Sequence, residues 1–139
     1  MLTSARNQLV GKVLQVRGGA VNDEVDIALN DQDVVVAIVT SESTNKLGLT
    51  AGKEVTALIK SSHVMLSTDL DLSISARNLL KGEVSAVRHG AVNCEVDVTL
   101  QGGGELVAIV TEGSINKLGI QVGTPVCAFF KASAVILAV

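Results

Sequence analysis

The sequence predicts an all-β protein made of two tandem five-stranded barrels, each carrying one short helix. Three observations predict this. Residues 4–66 align with residues 75–137 without a gap, and 34 of the 63 aligned positions are identical. The chain is therefore a tandem duplication. Within each copy the apolar stretches are short, rich in β-branched residues and bounded by Gly, Asn and Asp clusters. A single capped segment of helical length falls between the third and fourth stretch.

The elements of the first copy follow in order. Residues 9–16 (LVGKVLQV) alternate well enough for a strand, and RGGAVN supplies the turn after them. Residues 24–29 (EVDIAL) alternate polar and apolar, and NDQD is a strong turn cluster. Residues 34–40 (VVVAIVT) form a continuous β-branched run, as expected of a buried strand. Thr40 then suits a helix N-cap, Ser43 falls three positions on, and Gly48 sits where a closing glycine belongs. Residues 53–60 and 63–66 complete the copy as strands. The second copy repeats the plan at 80–87, 95–100, 105–111, a helix near 112–118, then 124–131 and 134–138. Five strands with a helix between the third and fourth is the element order of an OB-like barrel. The domains are expected at residues 2–68 and 73–139, joined by the short polar linker at 67–74.

Composition narrows the function. The chain is 47% hydrophobic yet has no Trp or Tyr, so its core must be built from Val, Ile, Leu and Ala. Modules this small and this aliphatic are expected to bury surface against one another or against other chains. No apolar run approaches the roughly 20 residues that a membrane helix needs. The first residues lack the basic start and apolar stretch of a secretory leader, so a cytoplasmic location without membrane association is expected. Cys94 and Cys127 have no counterparts in the first copy and read as reduced packing thiols. A net charge of −3 with two adjacent aromatics, Phe129 and Phe130, offers neither the basic stripe nor the stacking platform of a nucleic-acid binder.

An enzyme is not expected either. His63 aligns with Ala134 and His89 with Gly18, so neither histidine is repeated. No nucleophile elbow, phosphate loop or zinc-spaced Cys/His set is present. Glu24 and Asp26 recur as Glu95 and Asp97. Two carboxylates sharing one face of a strand are ordinarily solvated or ion-paired.

Comparison of the two copies points to an anion. Of 11 Lys and Arg, eight occupy identical paired positions: Arg6/Arg77, Arg17/Arg88, Lys46/Lys117 and Lys60/Lys131. Of 14 Asp and Glu, only four do. Lys46 and Lys117 fall in the last helical turn, where a cation suits the helix dipole. Arg17 and Arg88 precede turns and read as solvated. Arg6 and Lys60, with Arg77 and Lys131, lie among small hydroxyl residues; the alternative for Arg6 is an ion pair with Glu24 or Asp26. Thr40 with Ser43, and Thr111 with Ser114, add hydroxyls at a helix start. Together these groups form a donor-only cradle. Phosphate near neutral pH carries a proton and wants an acceptor, whereas sulfate, molybdate and tungstate do not, so such a cradle disfavours phosphate.

The strings TSARN, GAVNxEVD, VAIVT followed by KLGL, and KASxVIL resemble, across essentially the whole chain, two tandem Mop domains of the molbindins. The Mop domain is also found in the C-terminal half of the molybdate-responsive repressor. The resemblance implies an OB-like barrel per module, a trimer of two-module chains, and molybdate or tungstate held at module interfaces for cytoplasmic storage and homeostasis, with no further cofactor. It places anion contacts at Ser4, Ala5 and Arg6, at Thr40 and Ser43, and at Lys60, Ser61 and Ser62. In the second copy they fall at Ser75, Ala76 and Arg77, at Thr111 and Ser114, and at Lys131, Ala132 and Ser133. Molybdenum is expected only as the oxyanion, without direct protein ligands. Ser61 departs from the alanine common at that position. The arginine of one module is expected to meet the lysine and helix start of another. A sensor that signals to a partner protein is the rival reading, and a purely structural oligomer is a third.

Overall fold

The computed structural model describes residues 2–139. Strand β1 (Asn7–Arg17) serves two neighbours. Its residues 7–12 pair antiparallel with β4 (Glu54–Ile59), and its residues 12–17 pair with β2 (Asn22–Ala28). A bulge between Val13 and Gln15 bends the strand where it passes from one partner to the other. At Gly11 a Cβ would lie 2.5 Å from the carbonyl oxygen of Ala28, so glycine is required just before β1 passes from β4 to β2. Gly82 stands in the same position against Thr99, and the equivalent bulge lies between Val84 and Ala86.

Strand β3 (Val34–Thr40) lies along the far side of β2 and runs into helix α1 (Ser41–Leu47). Thr40 caps this helix by accepting from the Ser43 N–H, and Gly48 closes it in the left-handed conformation at φ 63°. The second copy builds β6 (Asn78–His89), β7 (Asn93–Leu100), β8 (Glu105–Thr111), α2 (Glu112–Leu118) and β9 (Pro125–Phe130) in the same way. The strands and capped helices thus form where the alternation and the turn residues placed them.

The end of each copy differs from expectation. The segment 63–66 does not begin as a strand: Ser61–His63 is a 3-10 turn, and Met65–Ser67 (β5) is the part that pairs as a strand. Ala132–Ala134 likewise turns before β10 (Ile136–Ala138). Neither short strand closes its own copy. β5 pairs with β9, and β10 pairs with β4, giving sheet orders β10-β4-β1-β2-β3 and β5-β9-β6-β7-β8. In each sheet the two outer strands approach one another, so the sheet curls into a half-barrel.

The exchange makes a single core. Val25, Ile27, Val35 and Ile59 from the first copy belong to the same buried cluster as Val96, Val98, Leu106 and Phe130 from the second. Leu66 and Leu137, on the exchanged strands, join it from opposite sides. Phe130 is fully buried while its neighbour Phe129 is only partly so, as alternation along a strand requires. Cys94 and Cys127 are both buried and free.

Candidate anion-binding site

The tetrapeptide SARN begins at an exposed serine and ends on a buried asparagine. Asn78 is 0% exposed and Asn7 2%. The Asn78 amide donates to the Val36 carbonyl (2.9 Å) and accepts from the Val36 N–H (2.7 Å). Asn7 makes the same pair of bonds to Val107, at 2.8 and 2.7 Å. β3 and β8 are outer strands, so one side of their backbone has no ladder partner. Each asparagine supplies that partner from the other copy. Sequence reasoning missed this role. Its one signal in the chain is the exact repetition of an asparagine at the start of a strand.

The clamp fixes the preceding arginine over the other copy. Arg77 donates to Glu24 Oε1 at 2.8 Å, and Arg6 donates to Glu95. The two arginines read as solvated also join: Arg17 bonds Glu24 and Asp26, each at 2.8 Å, and Arg88 bonds Asp97 at 2.6 Å. The repeated carboxylates are thus ion-pair partners. Arg17 and then Arg77 hold Glu24 below its ordinary range, and Arg17 does the same for Asp26. The glutamate partner of Arg6 comes from the second copy rather than from its own β2. In the isolated chain the cradle is therefore not donor-only at its arginines.

The lysines are different. Among the described residues, neither Lys60 nor Lys131 forms an ion pair, and both are exposed. Each immediately precedes a 3-10 turn, and the turn is laid on the outer strand of the other sheet: Ser61–His63 on β8, and Ala132–Ala134 on β3. Ser62 and Ser133 are exposed in these turns, whereas Ser61 and Ala132 are buried. Ser61 consequently faces inward as Ala132 does, and the departure at this position changes interior packing rather than the exposed donor set.

Arg77 and Lys131 meet in one cleft. It has a volume of about 380 Å³, and Ser75, Ala76, Arg77, Lys131, Ala132 and Ser133 line it, over Ile38 and Met65. An adjoining cleft is lined by Ser62, Lys131 and Ser133. Within the single chain this cleft brings together the arginine and the lysine of one module. Both come from the second copy, because the SAR segment and the lysine turn are each laid on β3 of the first. Ser4, Ala5 and Arg6 stand in the equivalent relation to β8, beside the turn that follows Lys60.

The helix-start hydroxyls lie outside that cleft. Thr40 is two residues beyond Ile38, on the same face of β3. Its Oγ1 accepts from the Ser43 N–H at 3.1 Å and donates to Ser43 Oγ at 2.9 Å. Thr111 and Ser114 repeat this geometry. The threonine proton is thereby used, and the donor left over at each helix start is the serine hydroxyl.

Residues 3–66 and 74–137 each match the TOBE domain. The chain belongs to the TOBE-domain family. Its fold is closely similar to the crystal structure of a cytoplasmic molybdate-binding protein, ModG, with molybdate bound. The two are 47% identical, the match covers 100% of this chain and 99% of that one, and the TM-score is 0.96. The molybdenum transport protein ModE of Azotobacter vinelandii is 48% identical over 139 residues, which is 100% of this chain and 52% of that protein. The molybdenum-pterin-binding protein MopA of Rhodobacter capsulatus is 45% identical, over 99% of this chain and 52% of its own length. This TOBE pair spans about half the length of the curated relatives it matches.

Proposed function

We propose that this protein binds molybdate, and tungstate with it, as a cytoplasmic store that buffers molybdenum, and that it performs no catalysis. The observation that carries this reading is the pair of uncompensated lysines, each set beside a serine-bearing turn and the SAR segment of its own copy. The likeness over the full chain to a protein crystallised with molybdate supports it. Two binding modules, residues 2–68 and 73–139, would contribute Ser4, Ala5, Arg6, Lys60, Ser61 and Ser62, and Ser75, Ala76, Arg77, Lys131, Ala132 and Ser133. Ser61 and Ala132, being buried, would offer backbone N–H groups only. At the helix starts Ser43 and Ser114 would donate, each oriented by the hydroxyl of Thr40 or Thr111.

The chemistry favours an unprotonated dianion. Lysine ammonium, serine hydroxyl and backbone N–H groups only donate to such a ligand. Glu24 is not a free acceptor, because Arg17 and Arg77 already occupy its two oxygens. A hydrogen phosphate would bring a proton that Glu24 is not free to receive, and a serine oxygen accepting it would match phosphate less well than the same hydroxyl matches a dianion by donating. Titration calorimetry with molybdate, tungstate and phosphate tests the point. Binding of the first two well above the third is expected, and equal binding of phosphate would overturn the selectivity argument.

The assembly we propose is a trimer. Val21 and Val92, each 70% exposed, and Ile136, 64% exposed, leave apolar surface on the single chain at positions related by the duplication or on an exchanged strand. Light scattering should give the mass of three 14.3 kDa chains; a monomer at micromolar concentration with molybdate present would refute it. A sensor is the second reading, favoured by relatives described as transcriptional regulators, such as ModE of Yersinia pestis. Capture of a partner protein that depends on molybdate would support the sensor over the store.

A further inference from the structure

His89, Cys94 and Glu112 come together at one corner of the second copy. His89 ends β6, Cys94 faces it directly across the ladder on β7, and Glu112 opens α2. His89 Nδ1 lies 3.0 and 3.1 Å from the two Glu112 oxygens and 3.6 Å from Cys94 Sγ. Cys94 Sγ donates to Glu112 Oε2 at 2.6 Å. The three ligand atoms all fall within 4.8 Å of one another.

The same corner of the first copy is built differently. Gly18, Asp23 and Ser41 occupy the aligned positions. There the Ser41 hydroxyl and the Gly19 N–H both donate to Asp23 Oδ1, at 2.8 and 3.2 Å, which is an ordinary polar closure of the turn. Three separate positions differ together in the second copy, and each carries there a side chain that ligates metals. His89 and Cys94 face each other across one hairpin, and Glu112 joins them from 18 residues beyond Cys94.

We propose that His89, Cys94 and Glu112 form a site for a thiophilic divalent cation of the zinc class, with a fourth position open to water. A tetrahedral zinc ion with bonds of about 2.0–2.3 Å holds its ligand atoms about 3.3–3.8 Å apart. The histidine–cysteine separation already meets that requirement and the histidine–glutamate separation nearly does. Only the Cys94–Glu112 contact must open, by about 1 Å on the same geometry, and it is held by a single thiol hydrogen bond. Metal binding would replace the bond by releasing the thiol proton to solvent. One nitrogen, one sulfur and one carboxylate oxygen suit zinc or cobalt, and poorly suit magnesium or calcium, which take all-oxygen sets. Cys94 is buried while His89 is exposed, so the site has a fixed sulfur at its base and a side open to solvent. Glu112 raises the Cys94 thiol above its ordinary range, and Cys94 with His89 lowers Glu112.

The test uses the full chain, stripped with a chelator and kept reduced with a phosphine, and cobalt(II) as the probe. One equivalent per chain should saturate an intense thiolate-to-cobalt band in the near-ultraviolet, accompanied by the visible bands of a tetrahedral ion. Zinc should displace the cobalt. Cys94→Ser should abolish the thiolate band, and Cys127→Ala should leave it unchanged. His89→Gly and Glu112→Ser install residues that the first copy carries at those positions, so folding is retained. Each should weaken cobalt binding on the order of 100-fold or more, since partners outside the ligand sphere alone are worth roughly 10- to 100-fold. Absence of a saturable band, a band that survives Cys94→Ser, or one that disappears with Cys127→Ala would overturn the proposal.

Discussion

Asn78 and Lys131 show how different two residues repeated between the copies can be. Asn78 has no exposed surface, and both ends of its amide serve Val36 on the edge of the other sheet. Asn78→Ala leaves a backbone N–H and a carbonyl without partners, at about 1–3 kcal/mol for each group. Urea denaturation should therefore register a loss of about 2–6 kcal/mol. Lys131 is exposed and unpaired, and its removal should leave the urea midpoint unchanged. Its effect should fall on the anion: loss of one charge-assisted bond weakens affinity roughly 10- to 150-fold. Calorimetry on Lys131→Ala should show that loss for half of the sites, with Lys60→Ala affecting the other half and the double variant affecting all. Full binding by the double variant would remove the lysines from the site. Arg77 lies between these extremes, since its charge is already matched by Glu24. An anion must compete with that carboxylate, so Arg77→Ala is expected to lower affinity less than Lys131→Ala does.

At the scale of the element, the short strands β5 and β10 decide more than their three residues suggest. Each completes the other copy's sheet, so a chain cut after residue 68 retains β1 to β4 with an uncovered β4 edge and a β5 that lacks its partner. Two such fragments can satisfy each other by the same exchange, because β4 and β9 are equivalent strands of the two copies and each offers its backbone edge to a final strand. The fragment should be a dimer by light scattering and should unfold on dilution; a stable monomer would contradict the exchange. The bulged strands offer a second test. Gly11→Ala places a methyl group against the Ala28 carbonyl and the Ile27 side chain. The substitution should cost about 1–3 kcal/mol by overpacking, read again in urea.

For the whole molecule, two ion clusters staple the copies to each other. Glu24, Asp26 and Asp97 all have folded values lowered by arginine partners. A carboxylate of this kind stabilises the fold above its unfolded value, and the contribution disappears as pH falls through the lowered folded value. Thermal unfolding should therefore be insensitive to pH through neutrality and fall only below roughly pH 4. These side chains are partly exposed, so the drop should be modest and should shrink in high salt. A fall in melting temperature between neutrality and pH 5 would contradict this account of the carboxylates.

The sequence by itself determined the duplication, the strands and the capped helices, because these depend on local alternation, turn residues and caps that a linear reading can follow. It also singled out SAR and the lysine turns, since comparing two copies within one chain separates repeated cations from drifting ones. Only the tertiary structure decided which sheet each final strand joins. The two sheets offer equivalent backbone edges, on β4 and β9, and nothing local distinguishes the self-closed arrangement from the exchanged one. That choice sets the neighbours of the lysine within the chain: once the turn after Lys131 is laid on β3, the lysine stands beside its own copy's arginine. Tertiary structure likewise assigned Glu24 to Arg77 and Asn78 to Val36. Those partners lie 53 and 42 residues apart, and a contact across two sheets leaves no periodicity in the chain to read.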